Sequence, residues 1–449
     1  MGRRAALFWL VSLLAPATSF GLDFGGFIDN STGYVTTGTP AFEQSDKLGL
    51  WFTTGLGKNL QFNVQASGDY QNQTTYGGAS IGPYADLDRL TLAGRFSQVP
   101  GGPSLFAFTL GRYLLADPTG DIFDQTLDGA QLVFGYPRLT LSASVGYTGL
   151  TIKPSSTIVM SKADSTALGE SSQYFGSPRA VGELVLTAPT LFQRQDLTVA
   201  ALVQQDLRPL FPNSLVTPGT PTYSPNSGGA LDTQYFTAGL SGPIASGFYW
   251  NGFLTLETGR MLSYITADSQ YEYKPILAFL ATGGVRYYRP ELLNLAVGLD
   301  ASFASGDADF STFYEGNTSG DATAFIPITQ STIATVFSPE LENILTSSIS
   351  VSVKPLSAAK NPNISDLQTI LAVIPFLRPT DGPISAGGVV AGNGQLYLGT
   401  ELDATVNYRP FSDLGLAVAA GVFFPNASAF TGSSGSLQYG GKLAVSYSF

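Results

Sequence analysis

From residue 22 to the C-terminus the chain runs as segments of about ten residues in which apolar and polar side chains alternate. A period of two places neighbouring side chains on opposite faces of an extended strand, so each segment has one greasy and one wet face. The alternation predicts about eighteen strands, over 22–31, 47–56, 60–70, 87–96, 105–113, 128–136, 139–148, 180–188, 197–206, 232–241, 248–258, 276–288, 293–303, 345–354, 366–376, 395–408, 414–424 and 438–449. The connectors between them alternate strictly in length: 57–59 is short and 71–86 long, 98–104 short and 114–127 long, and so on to 409–413 and 425–437. Two stacked sheets have no reason to sort their connectors this way. A single antiparallel barrel crossing a membrane does, with tight turns on one side and extended loops on the other. Segment 366–376 is the least typical, being apolar throughout and containing Pro375. Keeping it brings both termini to one side; sixteen strands is the fallback. The expected fold is therefore all-β, one transmembrane antiparallel barrel over residues 22–449, with short periplasmic turns and long extracellular loops.

The last strand carries Leu443, Val445, Tyr447 and Phe449 on one face and Lys442, Ala444, Ser446 and Ser448 on the other. An alternating strand that ends the chain on an aromatic residue resembles the closing strand of bacterial outer-membrane barrels. The resemblance implies that Tyr447 and Phe449 form the signal read by the barrel-assembly machinery. At the other end, Arg3 and Arg4 precede an apolar run over 5–14 and small residues about Ala17 and Gly21. This reads as a secretory signal peptide over 1–21, with cleavage after Ala17 or Gly21. The apolar run falls short of the about 20 residues a spanning helix needs.

Only 12% of residues are charged, about half the share in soluble domains, as expected where one face of every strand meets lipid. The formal charge is −11, and loss of Arg3 and Arg4 with the leader takes it to −13. An acidic chain without a basic cluster is not built for nucleic acid. With no histidine and no cysteine, Ser-His-Asp hydrolysis, disulfides and the usual zinc sites are excluded. No convincing pair of carboxylates stands in for them, so the expectation is a protein that is not an enzyme and holds no cofactor.

A Lys or Arg on the lipid face costs about 2–4 kcal/mol at mid-membrane, so charges within strands are expected to point inward. Parity assigns Arg89 and Arg95, Glu401, Asp403 and Arg409, and by the same rule Glu183, Glu257, Arg286, Asp300, Lys354 and Lys442, to the lumen. Arg112 resists this assignment because it shares parity with Phe106, Phe108 and Leu110. The connector 304–344 is long enough to fold inward. It carries Asp307 and Asp309 near Glu315 and Asp321, weak calcium candidates whose spacing does not match a calcium-binding loop; no metal is expected.

Three short stretches are similar to the alginate-export and related porin families: Leu110-Gly111-Arg112 with Asp128-Gly129-Ala130, Ala304-Ser305-Gly306-Asp307 with Phe325-Ile326-Pro327, and Glu401-Leu402-Asp403 with Gly421 to Pro425. The resemblance implies an eighteen-stranded channel. The mixed signs of the inward set depart from the arginine-rich lumen of the alginate exporters. The expected function is passive diffusion of small hydrophilic solutes through a mixed-charge lumen in the bacterial outer membrane. A substrate-specific transporter for saccharides, carboxylates or hydrophobic compounds and a surface adhesin stand as alternatives, and the oligomeric state is open.

Overall fold

A computed structural model describes residues 21–36, 41–75, 80–169, 173–210, 216–223, 229–265, 267–309 and 319–449. The expected leader, except Gly21, and Glu315 lie outside the described residues. Eighteen strands appear among the described residues: β1 (Leu22–Val35), β2 (Ala41–Gly55), β3 (Leu60–Thr75), β4 (Ser80–Ser97), β5 (Leu105–Ala116), β6 (Asp124–Tyr136), β7 (Leu139–Tyr147), β8 (Arg179–Phe192), β9 (Gln195–Asp206), β10 (Leu231–Ala245), β11 (Phe248–Ile265), β12 (Gln270–Arg289), β13 (Leu295–Ala304), β14 (Leu345–Val353), β15 (Gln368–Leu377), β16 (Tyr397–Phe411), β17 (Leu414–Pro425) and β18 (Gln438–Ser448). Each pairs antiparallel with its neighbours in sequence, and β1 closes on β18 in a register that runs from Phe27 opposite Ser448 to Val35 opposite Gly440.

Alternation decides what each face meets. Ile28, Leu48, Leu50, Val145, Leu184, Val203, Leu254, Leu256 and Leu277 are exposed, while Thr237, Thr255, Glu257 and Ala278, on the other face of the same wall, are buried. An apolar surface this continuous on the outside of a closed sheet is suited to lipid rather than water.

The packed core lies inside the ring. One cluster joins Ile122 and Phe123, from the β5–β6 connector, to Tyr235, Ile276 and Leu280 of β10 and β12 and to Phe325, Ile326 and Ile328 of the β13–β14 connector. β10 and β12 flank β11, whereas the β5–β6 connector leaves the wall four strands before β10, so a core inside the barrel joins it to them. A second cluster holds Val336 and Phe337 of the same connector against Phe376, Leu398 and Phe423. Phe337 stacks on Phe423 with ring centroids 4.3 Å apart.

All eighteen expected strands are present, and several extend further toward the long connectors; β12 begins at Gln270 rather than 276. There the hydrogen-bonded ladder continues while the apolar pattern, required only at lipid depth, lapses. Segment 368–377 is a true strand despite Pro375. Proline donates no hydrogen bond, and the β14–β15 ladder omits the rungs between Thr346 opposite Phe376 and Ile349 opposite Val373. The Thr346 hydroxyl donates to the Pro375 carbonyl at 3.1 Å and ties the strands there instead.

The two faces give a direct test. Leu254→Arg should cost about 2–4 kcal/mol in urea refolding into lipid vesicles, whereas Asn251→Arg, on the opposite face of β11, should change stability by less.

Candidate functional site

The barrel interior is crossed by connectors that the wall holds in place. Glu257 of β11 is fully buried and accepts a hydrogen bond from the Ile326 amide at 2.8 Å. The Tyr235 hydroxyl on β10 donates to the Ile326 carbonyl at 2.6 Å. The residue is thus gripped at both its amide and its carbonyl. Further along the same connector, Glu401 accepts from the amides of Val336 at 2.7 Å and Phe337 at 2.8 Å, and Asp403 accepts from Thr335 at 3.2 Å. Gly421 of β17 lets the connector come this close. A Cβ there would lie 2.4 Å from Asp403 Oδ1 and 2.9 Å from the Thr335 Cβ.

Sequence parity put Glu257, Glu401 and Asp403 in one class with the charged residues that meet water, and the structure separates them. Glu257 and Glu401 are sealed beneath the connector, and Glu183 is buried in the wall with one carboxylate oxygen lacking a hydrogen-bond partner. Arg89, Arg95, Arg409 and Lys442 are exposed. Arg286 pairs with Asp300 at 2.5 Å while both remain more than two-fifths exposed. Lys354 pairs with Asp366 at 2.9 Å. Arg409 and Lys442 share a cavity of about 490 Å³ with Lys47, Asp29 and Asp366. Lys47 and Asp29 lie opposite each other in the β1–β2 register, so strand parity carried the signal that could have found both.

Asp307 is engaged by backbone. Its oxygens accept from the amides of Asp309 at 2.9 Å and Thr323 at 3.0 Å, which staples the start of the connector to its return. Among the described residues no group of acidic side chains is arranged to hold a metal. Arg112 follows Gly111, whose φ of 111° only glycine adopts readily. Its guanidinium donates to both oxygens of Asp128, at 3.0 and 2.7 Å, and to the carbonyls of Leu87 and Leu150. It therefore ties the wall to the β7–β8 connector.

A second tie escaped sequence reading because its members lie up to 44 residues apart and half of them stand outside strands. Arg179, at the start of β8, and Arg208 alternate with Asp164 and Asp206 in a closed ring of four ion pairs at 2.7, 2.8, 2.9 and 2.5 Å. Asp164 sits on the short helix Lys162–Gly169 of the β7–β8 connector. Burial by itself would raise the Asp164 pKa, but the two guanidinium groups and the Ser177 hydroxyl outweigh it and hold the carboxyl below its ordinary range. Glu340 and Glu342 on the β13–β14 connector behave oppositely. Burial pushes Glu340 up to about 8, and burial beside Glu340 and Glu257 drives Glu342 well above the usual range.

Breaking each tie has a distinct expected outcome. Glu401→Ala removes the acceptor for two amides and should give larger, noisier current steps in planar bilayers, with the barrel still folded by heat-modifiable gel mobility. Asp164→Asn leaves two buried guanidinium groups undercompensated, a change worth about 3–5 kcal/mol, and should open the β7–β8 connector to limited proteolysis. Because the folded-state pKa of Asp164 is depressed, its stabilisation is complete above the free value of about 4. Protection of the wild-type connector should hold at about pH 5 and fail only in stronger acid.

No family model matches the chain, and no curated protein matches it in sequence. Solved structures match its fold along almost the whole length. Pseudomonas aeruginosa OccK1 (OpdK) is 12% identical with a TM-score of 0.57, covering 96% of this chain and 98% of that one. OccK2 (OpdF) of the same organism, crystallised in complex with glucuronate, is 12% identical with a TM-score of 0.56 over the same shares. OccK5 (OpdH) is 13% identical with a TM-score of 0.52, covering 95% and 98%. A structure of OpdK with vanillate matches as OccK1 does. At these identities the likeness establishes a shared fold.

Proposed function

We propose that the protein is an outer-membrane channel for passive passage of small hydrophilic solutes, not an enzyme. The observation that carries this reading is a closed eighteen-stranded ring, apolar outside, whose interior keeps water-exposed charged side chains beside inserted connectors. In this reading Arg89, Arg95, Arg286, Asp300, Lys354, Arg409 and Lys442 line the pore, Glu257, Glu401 and Asp403 shape it by holding the inserted connector, and Glu183 lies buried in its wall. Residues 1–21 are the leader removed on export, and Tyr447 and Phe449 are the assembly signal. Connectors that turn inward favour a channel over an adhesin, which would display them outward.

Selection for small organic anions is favoured by Arg409 and Lys442, exposed in the cavity they share with Asp29, where Lys47 is held by Asp88 and Asp69 and Asp366 by Lys354. Glucuronate and vanillate, bound by two of the structural neighbours, are both carboxylates. The alginate-export likeness of the three short stretches adds only the same architecture to this reading, since the lumen mixes both signs.

Purified protein in a planar bilayer should show discrete conductance steps, and glucuronate or vanillate should reduce the current. Arg409→Ala with Lys442→Ala should weaken that block several-fold and shift selectivity toward cations. Absence of any conductance would overturn the channel; conductance indifferent to both acids and to the substitutions would remove the anion preference.

A further inference from the structure

We propose that the outer face of β1 and β2 is a docking surface for a second copy of this chain, with Asn30, Thr32, Gln44 and Asp46 as the polar seam between the two barrels. The proposal rests on the lipid-facing wall and is independent of the channel reading.

The side on which these residues lie follows from their neighbours. Val35 packs against the interior cluster, and Lys47 turns inward to Asp88 at 2.5 Å and to the buried Asp69 at 3.6 Å. Residues one step away along each strand face the opposite side. Ile28 and Tyr34 of β1 and Phe42, Leu48 and Leu50 of β2 are accordingly exposed. Asn30, Thr32, Gln44 and Asp46 share their parity, and the register sets Asn30 opposite Asp46 and Thr32 opposite Gln44.

Depth places the four in hydrocarbon. A strand rising about 3.3 Å per residue at about 40° to the barrel axis climbs about 2.5 Å per residue along the membrane normal. On that scale Asn30 and Asp46 stand about 15 Å, and Thr32 and Gln44 about 20 Å, above the exposed ring of Phe24. Tyr34 and Phe42, exposed and opposite each other, close the band at about 25 Å, the usual height of the apolar zone.

The four side chains are joined. Asn30 Nδ2 donates to Asp46 Oδ1 at 2.5 Å, Gln44 Nε2 to both Asp46 oxygens at 3.1 Å, and the Thr32 hydroxyl to Gln44 Oε1 at 2.6 Å. Among the described residues no cation pairs with Asp46, since Lys47 beside it is held on the other face. A carboxylate against acyl chains is costly, and ionisable groups at membrane depth are covered by protein or water. Acyl chains offer it no hydrogen bond, so its cover is a polar surface at the same depth.

A second copy presents such a surface. A two-fold axis along the membrane normal brings equal depths together and sets the same patch against itself. The patch is self-complementary, because the Asn30 and Gln44 amides each carry two N–H donors and a carbonyl acceptor that face the other copy's Asp46 and amides. Beside Asp46, Gly68 of β3 lies opposite Leu48 and leaves a hollow of about 310 Å³ bordered by Ile28, Leu48, Tyr70 and Pro83. A Cβ on Gly68 would meet nothing within 4 Å, so the hollow is open to an apolar side chain of the other copy.

The chain has no cysteine, so single cysteines report proximity in outer membranes. Thr32→Cys and Gln44→Cys, oxidised with copper–phenanthroline, should each give a reducible product of twice the barrel mass. Leu254→Cys on β11, half-way round the ring, should not. Adding Asp46→Leu to Thr32→Cys should lower the product several-fold while heat-modifiable gel mobility shows the barrel folded. Should one cysteine variant fail to fold, the other carries the comparison, and Asp46→Ala replaces Asp46→Leu on the same ground. No dimer at either seam cysteine, equal dimer at Leu254→Cys, or a yield indifferent to Asp46→Leu would overturn the interface. So would crosslinking to a protein of another mass, or lipopolysaccharide retained by purified wild type and lost in Asp46→Leu without any dimer. None of these results bears on whether the barrel conducts.

Discussion

The pairing of β1 with β18 is the interaction on which the rest of the molecule depends. An open sheet in hydrocarbon would leave two rows of backbone amides and carbonyls without partners, each costing several kcal/mol. Running Phe27–Val35 against 440–448 removes both edges. Closure also creates an inside. Only an enclosed, partly wet interior lets backbone such as Thr335–Phe337 leave the rim and find acceptors at the depth of the wall.

Within that interior, identical strand parity leads to opposite outcomes. Arg286 and Asp300 pair across neighbouring strands and stay in contact with water. Glu257 and Glu401, equally inward, are covered because a connector supplies amides that match their carboxylates. The glutamates act as fixed posts for an inserted segment. The posts and the water-exposed pair share one strand parity and are divided by where a connector happens to lie.

The ring of Arg179, Asp164, Arg208 and Asp206 applies the same logic without a strand pattern. Two cations and two anions, almost wholly removed from solvent, satisfy one another. Such a ring contributes less to net stability than to specifying one arrangement, because desolvation offsets much of the attraction while any single loss leaves a buried charge exposed to a low dielectric. It joins the β7–β8 connector to the turn after β9, and with Arg112 it fixes one side of the interior against which the other connectors pack.

The strand number and the antiparallel order were legible because each follows from a period of two and from connector length, both local properties. Even Pro375 could be accommodated by parity, since closure demands an even count. Lys47 and Asp29 were readable by the same rule. Beyond reach were the ring at Asp164 and the capture of Ile326 by Tyr235 and Glu257. These depend on where irregular backbone travels after leaving a strand, and no periodicity governs that path. The sequence by itself determined a cylinder with a wet inner face. Tertiary structure alone decided which inner charges meet water and which hold the connectors, because that division is set by long-range hydrogen bonds between residues with no fixed spacing.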